Sequence, residues 1–220
     1  MCMGLVSLYF CAPPCRILNA YASLLADQGQ VDEAVAMFNK SIAVDANYSH
    51  VPHLYLGQVL DGEASLAHMR TGVGILDTAE RASDQPAAGA RQASARHHGK
   101  GKSKDKGPEG DRGRLEAKTI KAALCSARCA LGEALLVCDD TGGADDEAEA
   151  LFRAAVLACP DTPDAHQGLA SLRLSQGKGE EAGAYMQSVL RILSETPLEC
   201  LPSIDFRLQS AKLLIGKSHA

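Results

Sequence analysis

The second half of the chain repeats one pattern of apolar residues at a spacing of 34 positions. Each copy places a small residue first, a bulky apolar residue four positions later, and a third apolar residue three positions further on. These positions lie on one face of an α-helix, so the helix can approach a neighbour closely while the bulky side chain fills the groove between them. The pattern therefore predicts packed helices that recur along the chain. The two copies are Ala148, Phe152 and Ala155, and Ala182, Met186 and Val189.

This period, together with the later Pro160, resembles the tetratricopeptide repeat, in which each unit is a pair of antiparallel helices. The alternative that the pattern leaves open is an ordinary amphipathic helical hairpin. Because alanine is abundant and runs of valine and isoleucine are scarce, the composition favours helices over strands. We expect an all-α fold, a tetratricopeptide-repeat superhelical solenoid of antiparallel helix pairs.

The first half of the chain contains a complete unit from Cys15 to Tyr48 with the same signature. Gly29 is free to take the left-handed conformation that ends a helix, and Asp32 is a candidate N-cap for the second helix of the unit. The predicted inward-facing residues of the first helix are Leu18, Tyr21, Ala22 and Leu25.

The next unit is compressed. Its first-helix signature is Gly57 with the preceding leucine, and its second-helix positions, Ser65, Met69 and Gly72, arrive about four residues early, which is about one helical turn. Gly62 and the aspartate before it supply a shortened corner between the two helices.

The segments outside the repeats differ from them in composition. The segment after the second repeat is rich in Gly, Ala, Ser, Lys and Arg, and it has too few large apolar side chains to offset its ordering entropy. The apolar leader lacks the basic start of a signal peptide and is too short to span a bilayer. We therefore interpret it as a loose leader or a misplaced start, with a signal peptide as the alternative. We interpret the unpaired last helix as a sign of a truncated or shortened chain.

The predicted parts are the poorly ordered leader 1–14, repeats one and two at 15–77, a disordered basic insertion at 78–114, repeats three and four at 115–196, and the first helix of an incomplete fifth repeat at 197–220.

Charge is distributed unevenly along the chain. The segment from Arg91 to Lys106 has six basic residues and one acid, which gives +5; since the net charge is −5, the rest carries −10. An acidic body favours a basic protein over nucleic acid as its partner, although the acids could instead simply solubilise an alanine-rich surface. The basic segment is a solvated linker, a nuclear-import signal or a weak RNA contact.

Residues with catalytic or ligating chemistry form no constellation typical of an active site. Arg96 stands where a phosphate-binding loop ending at Lys102 and Ser103 requires glycine, and no Ser/His/acid set is evident. The eight cysteines include no Cys-x2-Cys pair, so we interpret them as free thiols in a reducing compartment. We therefore expect a protein without enzyme activity, cofactor, metal, small-molecule substrate or membrane partner.

Two acidic residues near the middle of the chain have no structural explanation. Asp139 and Asp140 follow the C-terminal end of a predicted helix, where the helix dipole disfavours negative charge. We therefore interpret them as partner-binding residues.

Several segments resemble the dedicated assembly chaperones of large-subunit ribosomal protein L four. The resemblance extends from about Leu18 to Ile215 except for the basic insertion, and the compressed second repeat is its most specific part. This sequence departs from the family by stopping at Ala220, where the family usually continues to an acidic end, and by lacking the lysine-rich start. The segments are residues 54–58, 62–63, 72–76, 123–126, 160–165, 169–176, 206–208 and 211–214, with Glu133.

The resemblance implies a chaperone that binds newly made ribosomal protein L four, shields its basic loop and accompanies it from the cytoplasm into the nucleus. An acidic concave surface would complement such a basic segment. The alternatives are a generic tetratricopeptide-repeat adaptor in a multiprotein complex and, third, weak RNA binding through residues 91–106. The residues predicted to line the partner-binding surface are Asn19, Ser23, Glu133, Asp139, Asp140, Gln167 and Ser171.

Another class of repeat protein, which clamps the C-terminal carboxylate of heat-shock chaperones, fits the sequence less well. That class has basic and asparagine residues at fixed inner positions, and here those positions include no lysine or arginine. They hold Asn19, Ser23, Tyr55, Asp164 and Gly168.

Overall fold

A computed structural model of the chain describes residues 14–84, 108–138 and 143–216. Within these ranges every regular element is a helix, which confirms the all-α prediction. The chain divides into two compact units, with the division between Ile75 and Leu76. The predicted leader, apart from Pro14, lies outside the described residues.

The first unit is built on a helical hairpin. Helix α1 (Pro14–Asp27) packs against α2 (Val31–Val44). Gly29, in the connection between them, has a φ of 74°, which is the left-handed conformation predicted for this turn. The buried core of the unit consists of Ala22, Leu25, Ala34, Phe38 and Leu56.

Two predictions for this hairpin are wrong. Asp32 does not cap α2, because the helix begins at Val31 after Gln30 and Asp32 lies within its first turn. Its carboxylate there is still stabilised by the positive end of the helix dipole. Tyr21 does not face the core; it is 52% exposed, because the buried stripe of α1 follows another face. That stripe is Cys15, Asn19, Ala22 and Leu25.

The second helix pair has the short corner that the sequence predicts. Helix α3 (His50–Val59) begins after Ser49, whose hydroxyl oxygen accepts a hydrogen bond from the Val51 backbone N–H at 3.2 Å. Helix α4 (Gly62–Asp84) begins shortly after α3 ends, and Gly62 has a φ of 61°. A residue with a side chain would be strained in that conformation.

Glycine on each helix lets α3 and α4 approach. A Cβ on Gly57 would overlap the Met69 side chain, and a Cβ on Gly72 would lie 2.7 Å from Cδ2 of Leu54. The Ser65 hydroxyl also donates a hydrogen bond to the Gly57 carbonyl oxygen. The residues that mark the compressed repeat in the sequence are therefore those that form the contact between its helices.

The second unit contains two helix pairs. Helix α5 (Pro108–Cys138) packs against α6 (Asp145–Ala158), and α7 (Pro163–Ser175) packs against α8 (Gly179–Glu195). Pro163 occupies the start of α7, where its missing N–H costs no hydrogen bond. All six residues of the 34-residue pattern are buried, and none is more than 2% exposed.

Helix α9 (Ile204–Gly216) follows a short 3₁₀ turn (Leu198–Cys200) and contacts both α7 and α8. The Ser210 hydroxyl donates a 2.6 Å hydrogen bond to Oε1 of Gln167 on α7, and both residues are buried. Apolar side chains complete the contact. They are Phe206, Leu213 and Leu214 of α9 with Ala170, Met186 and Val189 of the preceding pair.

An ion-pair network centred on Arg173 joins three helices of the second unit. The guanidinium of Arg173 donates two hydrogen bonds, of 2.6 and 2.8 Å, to the Glu149 carboxylate on α6. Its Nε lies 2.9 Å from Oε2 of Glu181 on α8. Gln176 connects the network to Asp145, with bonds of 2.7 Å from Arg173 and 3.2 Å to Asp145. Since Arg173 is only 5% exposed, its buried charge fixes how the three helices pack.

The predicted disordered insertion at 78–114 is wrong at both ends. Helix α4 continues to Asp84, and α5 already begins at Pro108. At the end of α4, Leu76 is 1% exposed and Asp77 accepts a 2.6 Å hydrogen bond from Arg128 of α5. These contacts provide the order that local composition does not indicate. Residues 85–107, with the whole basic segment, lie outside the described residues.

Candidate protein-binding surface

The first helices of the pairs in the second unit lie side by side, since α7 contacts both α5 and α9. Glu133 is an exposed residue of α5, and Asp164 lies in the first turn of α7. Neighbouring groups remove part of the hydration of the Glu133 carboxyl group, and the charge of Asp164 acts on it as well; both effects raise the pKa of Glu133. We call Glu133 and Asp164 together the acidic site.

The thiol of Cys129 is close enough to both carboxylates for their charges to change its pKa. Burial raises the pKa of the Cys129 thiol to about 12, and the negative charges of Asp164 and Glu133 contribute to this rise. Within the described residues, neither Glu133 nor Asp164 takes part in an ion pair with a lysine, arginine or histidine. The acidic site therefore holds negative charge that a cationic group from a partner can neutralise.

Two predicted partner-binding residues lie in the first unit, one turn apart on α1. Asn19 is 9% exposed, and its side-chain Oδ1 has no hydrogen-bond partner among the described residues. Ser23 is half-buried on the same helix. A buried carbonyl oxygen without a donor costs free energy, so Oδ1 of Asn19 is suited to accept a hydrogen bond from a bound segment.

The remaining predicted residues are placed differently from one another. Gln167 is 4% exposed, and its Oε1 is already occupied by Ser210, so its side chain holds α9 against α7. Ser171, one turn later on α7, is half-buried. Asp139 and Asp140 lie outside the described residues.

Sequence reasoning did not select Asp164 as a binding residue. An acid in the first turn of a helix is explained by the helix dipole alone, so nothing at its position indicates a partner. Only the contact between α5 and α7 brings it near Glu133. The sequence does provide one signal: Asp164 occupies one of the inner positions that hold basic or asparagine residues in the class of repeat protein that clamps a carboxylate.

Two other kinds of site, a metal centre and a membrane-spanning segment, are absent from the described residues. In the described ranges, no group of three or more His, Cys, Asp or Glu side chains is arranged to hold a metal ion. None of the described helices combines the length and the apolar character needed to cross a membrane.

Comparisons with known proteins agree with the helix pairs. The tetratricopeptide repeat family model matches residues 16–48. A solved structure described as the assembly chaperone of RpL4 (Acl4, residues 1–338) has a TM-score of 0.76 and 20% identity, covering 93% of this chain and 71% of that one. No curated protein sequence matches the chain.

Two further solved structures have lower TM-scores. The tetratricopeptide-repeat protein TTC0263 of Thermus thermophilus has a TM-score of 0.42 and 16% identity, covering 91% of this chain and 99% of its own. YrrB, a repeat protein described as having an unusual peptide-binding site, has a TM-score of 0.30 and 17% identity, with coverage of 80% and 84%. The chain therefore contains a tetratricopeptide repeat at residues 16–48, within an all-α fold of helix pairs. Stacked helix pairs of this kind form extended surfaces that are suited to binding proteins.

Proposed function

We propose that this chain is a chaperone that binds a newly made basic ribosomal protein, the large-subunit protein L four, and accompanies it from the cytoplasm into the nucleus. The observation that carries the proposal is the acidic site, whose two carboxylates have no cationic partner among the described residues. A fold shared with the structure described as the assembly chaperone of RpL4 supports it. The proposed activity is binding rather than catalysis.

Long-range charge supports the choice of a basic client. Apart from the segment 91–106, the chain carries −10, and this field attracts a lysine- and arginine-rich extension before contact. Such attraction is screened over about 8 Å at physiological ionic strength. Binding should therefore weaken as salt is added, with most of the change in the association rate.

The acidic site is suited to bind a positively charged side chain. In the free protein the ionised form of Glu133 is disfavoured by lost hydration and by Asp164, which is why its pKa is raised. An arginine or lysine of the client placed between the two carboxylates would offset both costs and form charge-assisted hydrogen bonds. On the first unit, Oδ1 of Asn19 would accept a hydrogen bond from a backbone N–H of the client.

Direct binding to purified ribosomal protein L four tests the proposal. We expect Glu133→Gln and Asp164→Asn each to weaken binding about tenfold at low salt, or ~1.4 kcal/mol, and less at high salt. Glu180→Gln is the matched control, because it removes one negative charge from an exposed position in the first turn of α8. It should change affinity little.

Two results would contradict the proposal. If the intact chain does not bind ribosomal protein L four at low salt, the client is a different protein and a generic adaptor role is favoured. If binding occurs but the two acidic-site variants match Glu180→Gln, the client binds elsewhere on the chain.

A further inference from the structure

Two thiols of the second unit lie in contact, and the proposed function uses neither. Sγ of Cys125 on α5 is 2.7 Å from Sγ of Cys159, which caps the C-terminal end of α6. In a disulfide this distance is about 2.0 Å, so a shift of less than about one ångström brings the two sulfurs to bonding distance. Both cysteines are free thiols.

The backbone around the two sulfurs is arranged reciprocally. Sγ of Cys125 lies 3.9 Å from the carbonyl oxygen of Ala155, one turn before Cys159. Sγ of Cys159 lies 4.0 Å from the carbonyl oxygen of Lys121, one turn before Cys125. Each thiol therefore points across the contact between α5 and α6 towards the helix that carries the other.

The two thiols differ in their access to solvent. Cys125 is 1% exposed, whereas Cys159 is half-buried. Burial, with the hydrogen bond to Cys159, raises the pKa of Cys125 to about 12, so this group stays protonated at neutral pH. A reagent in solution therefore meets Cys159 first, and Cys125 is positioned to react with the product.

We propose that Cys125 and Cys159 form an intramolecular disulfide when the protein meets a peroxide. The Cys159 thiolate attacks hydrogen peroxide, the O–O bond breaks, and a sulfenic acid and hydroxide result. The Cys125 sulfur then attacks the sulfenic sulfur; the S–O bond breaks, and the departing hydroxide takes the Cys125 proton and leaves as water. In total, two thiols and one hydrogen peroxide give one disulfide and two waters. A dithiol reductant reverses the change.

The disulfide would join the two helices of one pair covalently. The bonded cysteines are 34 positions apart, so the crosslink restricts the unfolded chain substantially and raises the stability of the pair. Helix α5 also carries Glu133 of the acidic site. Oxidation would therefore hold one side of the proposed client surface more firmly in place.

Peptide mapping can identify this crosslink without ambiguity. The full chain, purified in reductant and then freed of it, is treated with an equimolar amount of hydrogen peroxide, blocked with N-ethylmaleimide and digested with trypsin. Cleavage after lysine and arginine separates the cysteines: Cys125 is alone in peptide 122–128, Cys159 is alone in 154–173, and Cys129 and Cys138 share 129–153. We expect peptides 122–128 and 154–173 joined, with the loss of two hydrogens.

Variants and thermal unfolding provide the second measurement. Oxidation should raise the unfolding midpoint of the wild type by about 5 °C and leave Cys159→Ser unchanged. Cys129→Ser is the matched control, since Cys129 is buried one turn after Cys125 on the same helix, and it should retain the rise. Oxidation of the exposed Cys138 or Cys200 shows that enough peroxide was present. If peptides 122–128 and 154–173 are then still recovered separately, the proposal is overturned. A crosslink from 154–173 to 129–153 would overturn it as well.

Discussion

The ring of Phe152 on α6 occupies the space into which any side chain on Gly168 of α7 would project. A Cβ on Gly132 of α5 would lie only 2.7 Å from Cζ of the same ring. The ring is fully buried. The glycines on α5 and α7 therefore leave room for the aromatic side chain of α6. In this way three helices of the second unit pack around Phe152.

Gly168→Ala should destabilise the protein by about 1–3 kcal/mol, because the added methyl group overpacks a ring that cannot move aside. Chemical denaturation measures the change in the free energy of unfolding. Gly74→Ala on α4 is the control: its Cβ would have no atom within 4 Å, and the gain in helix propensity should stabilise by about 0.5–1 kcal/mol. Equal effects of the two substitutions would contradict this account of Phe152.

Arg173→Ala should cost about 2–3 kcal/mol of unfolding free energy, because it removes the buried guanidinium that pairs with Glu149 and Glu181, while both carboxylates keep contact with water. Arg153 still pairs with Glu149 at 2.7 Å, which limits the loss. The comparison is Arg191→Ala, which removes an exposed pair with Glu195 and should cost about 1 kcal/mol or less. A cost for Arg173→Ala as small as this would show that the network does not hold the helices.

The pair of His53 and His68 should make the first unit sensitive to mild acid. Their Nδ1 atoms are 3.1 Å apart, and Nε2 of His53 donates to the Ala46 carbonyl oxygen at 2.9 Å. A carbonyl only accepts, so neutral His53 carries its proton on Nε2 and accepts at Nδ1 from His68. Burial, and then the proximity of His53, lowers the pKa of His68 below 6.5. The unfolded chain therefore binds the extra proton more readily than the folded one.

It follows that the stability contributed by His68 is complete above about pH 6.5 and is lost as the pH falls through the lowered pKa. His68→Asn keeps an N–H donor but cannot titrate, so its free energy of unfolding should depend less on pH between about 5 and 7. The measured quantity is the difference between wild type and variant across this range. His50, whose pKa burial also lowers, contributes equally to both proteins and cancels. A difference that does not change with pH would contradict the prediction.

Glu133→Gln should stabilise the free protein at about pH 7 while weakening the binding of a basic client. Its raised pKa means that the folded state disfavours the ionised form, so above that pKa the group lowers stability. The penalty disappears as the pH falls below 4.5, where the carboxyl group is protonated in both states. Denaturation at neutral and acidic pH, with Glu180→Gln beside it, measures this. A variant that is less stable than wild type at neutral pH would disprove it.

The sequence predicts well those features that depend on side-chain size at regular spacing. The six residues of the 34-residue pattern are all buried, and Gly29 has the conformation that its turn requires. Glycine at positions 57 and 72 marks the close contact of a compressed pair. In each case one residue type satisfies a steric requirement that is visible locally.

Features that depend on how separate helices lie against each other could not be predicted. Composition indicates disorder after Asp77, yet α4 continues because Arg128, 51 positions away, pairs with Asp77. Asp164 and Glu133 become one acidic site only through the packing of α7 on α5. Gln167 carries a polar side chain at an inner position, and only the location of α9 shows that Ser210 occupies it.

The hydrogen bond between Ser210 and Gln167 also means that the last helix determines which surface the preceding pair presents. A chain ended by proteolysis or splicing at Thr196 would keep α7 and α8 but would uncover the Gln167 carboxamide. The same cut would expose Met186 and Val189, which α9 now covers with Phe206 and two leucines. Such a product would expose a hydrogen-bonding group together with an apolar patch. It would therefore tend to self-associate.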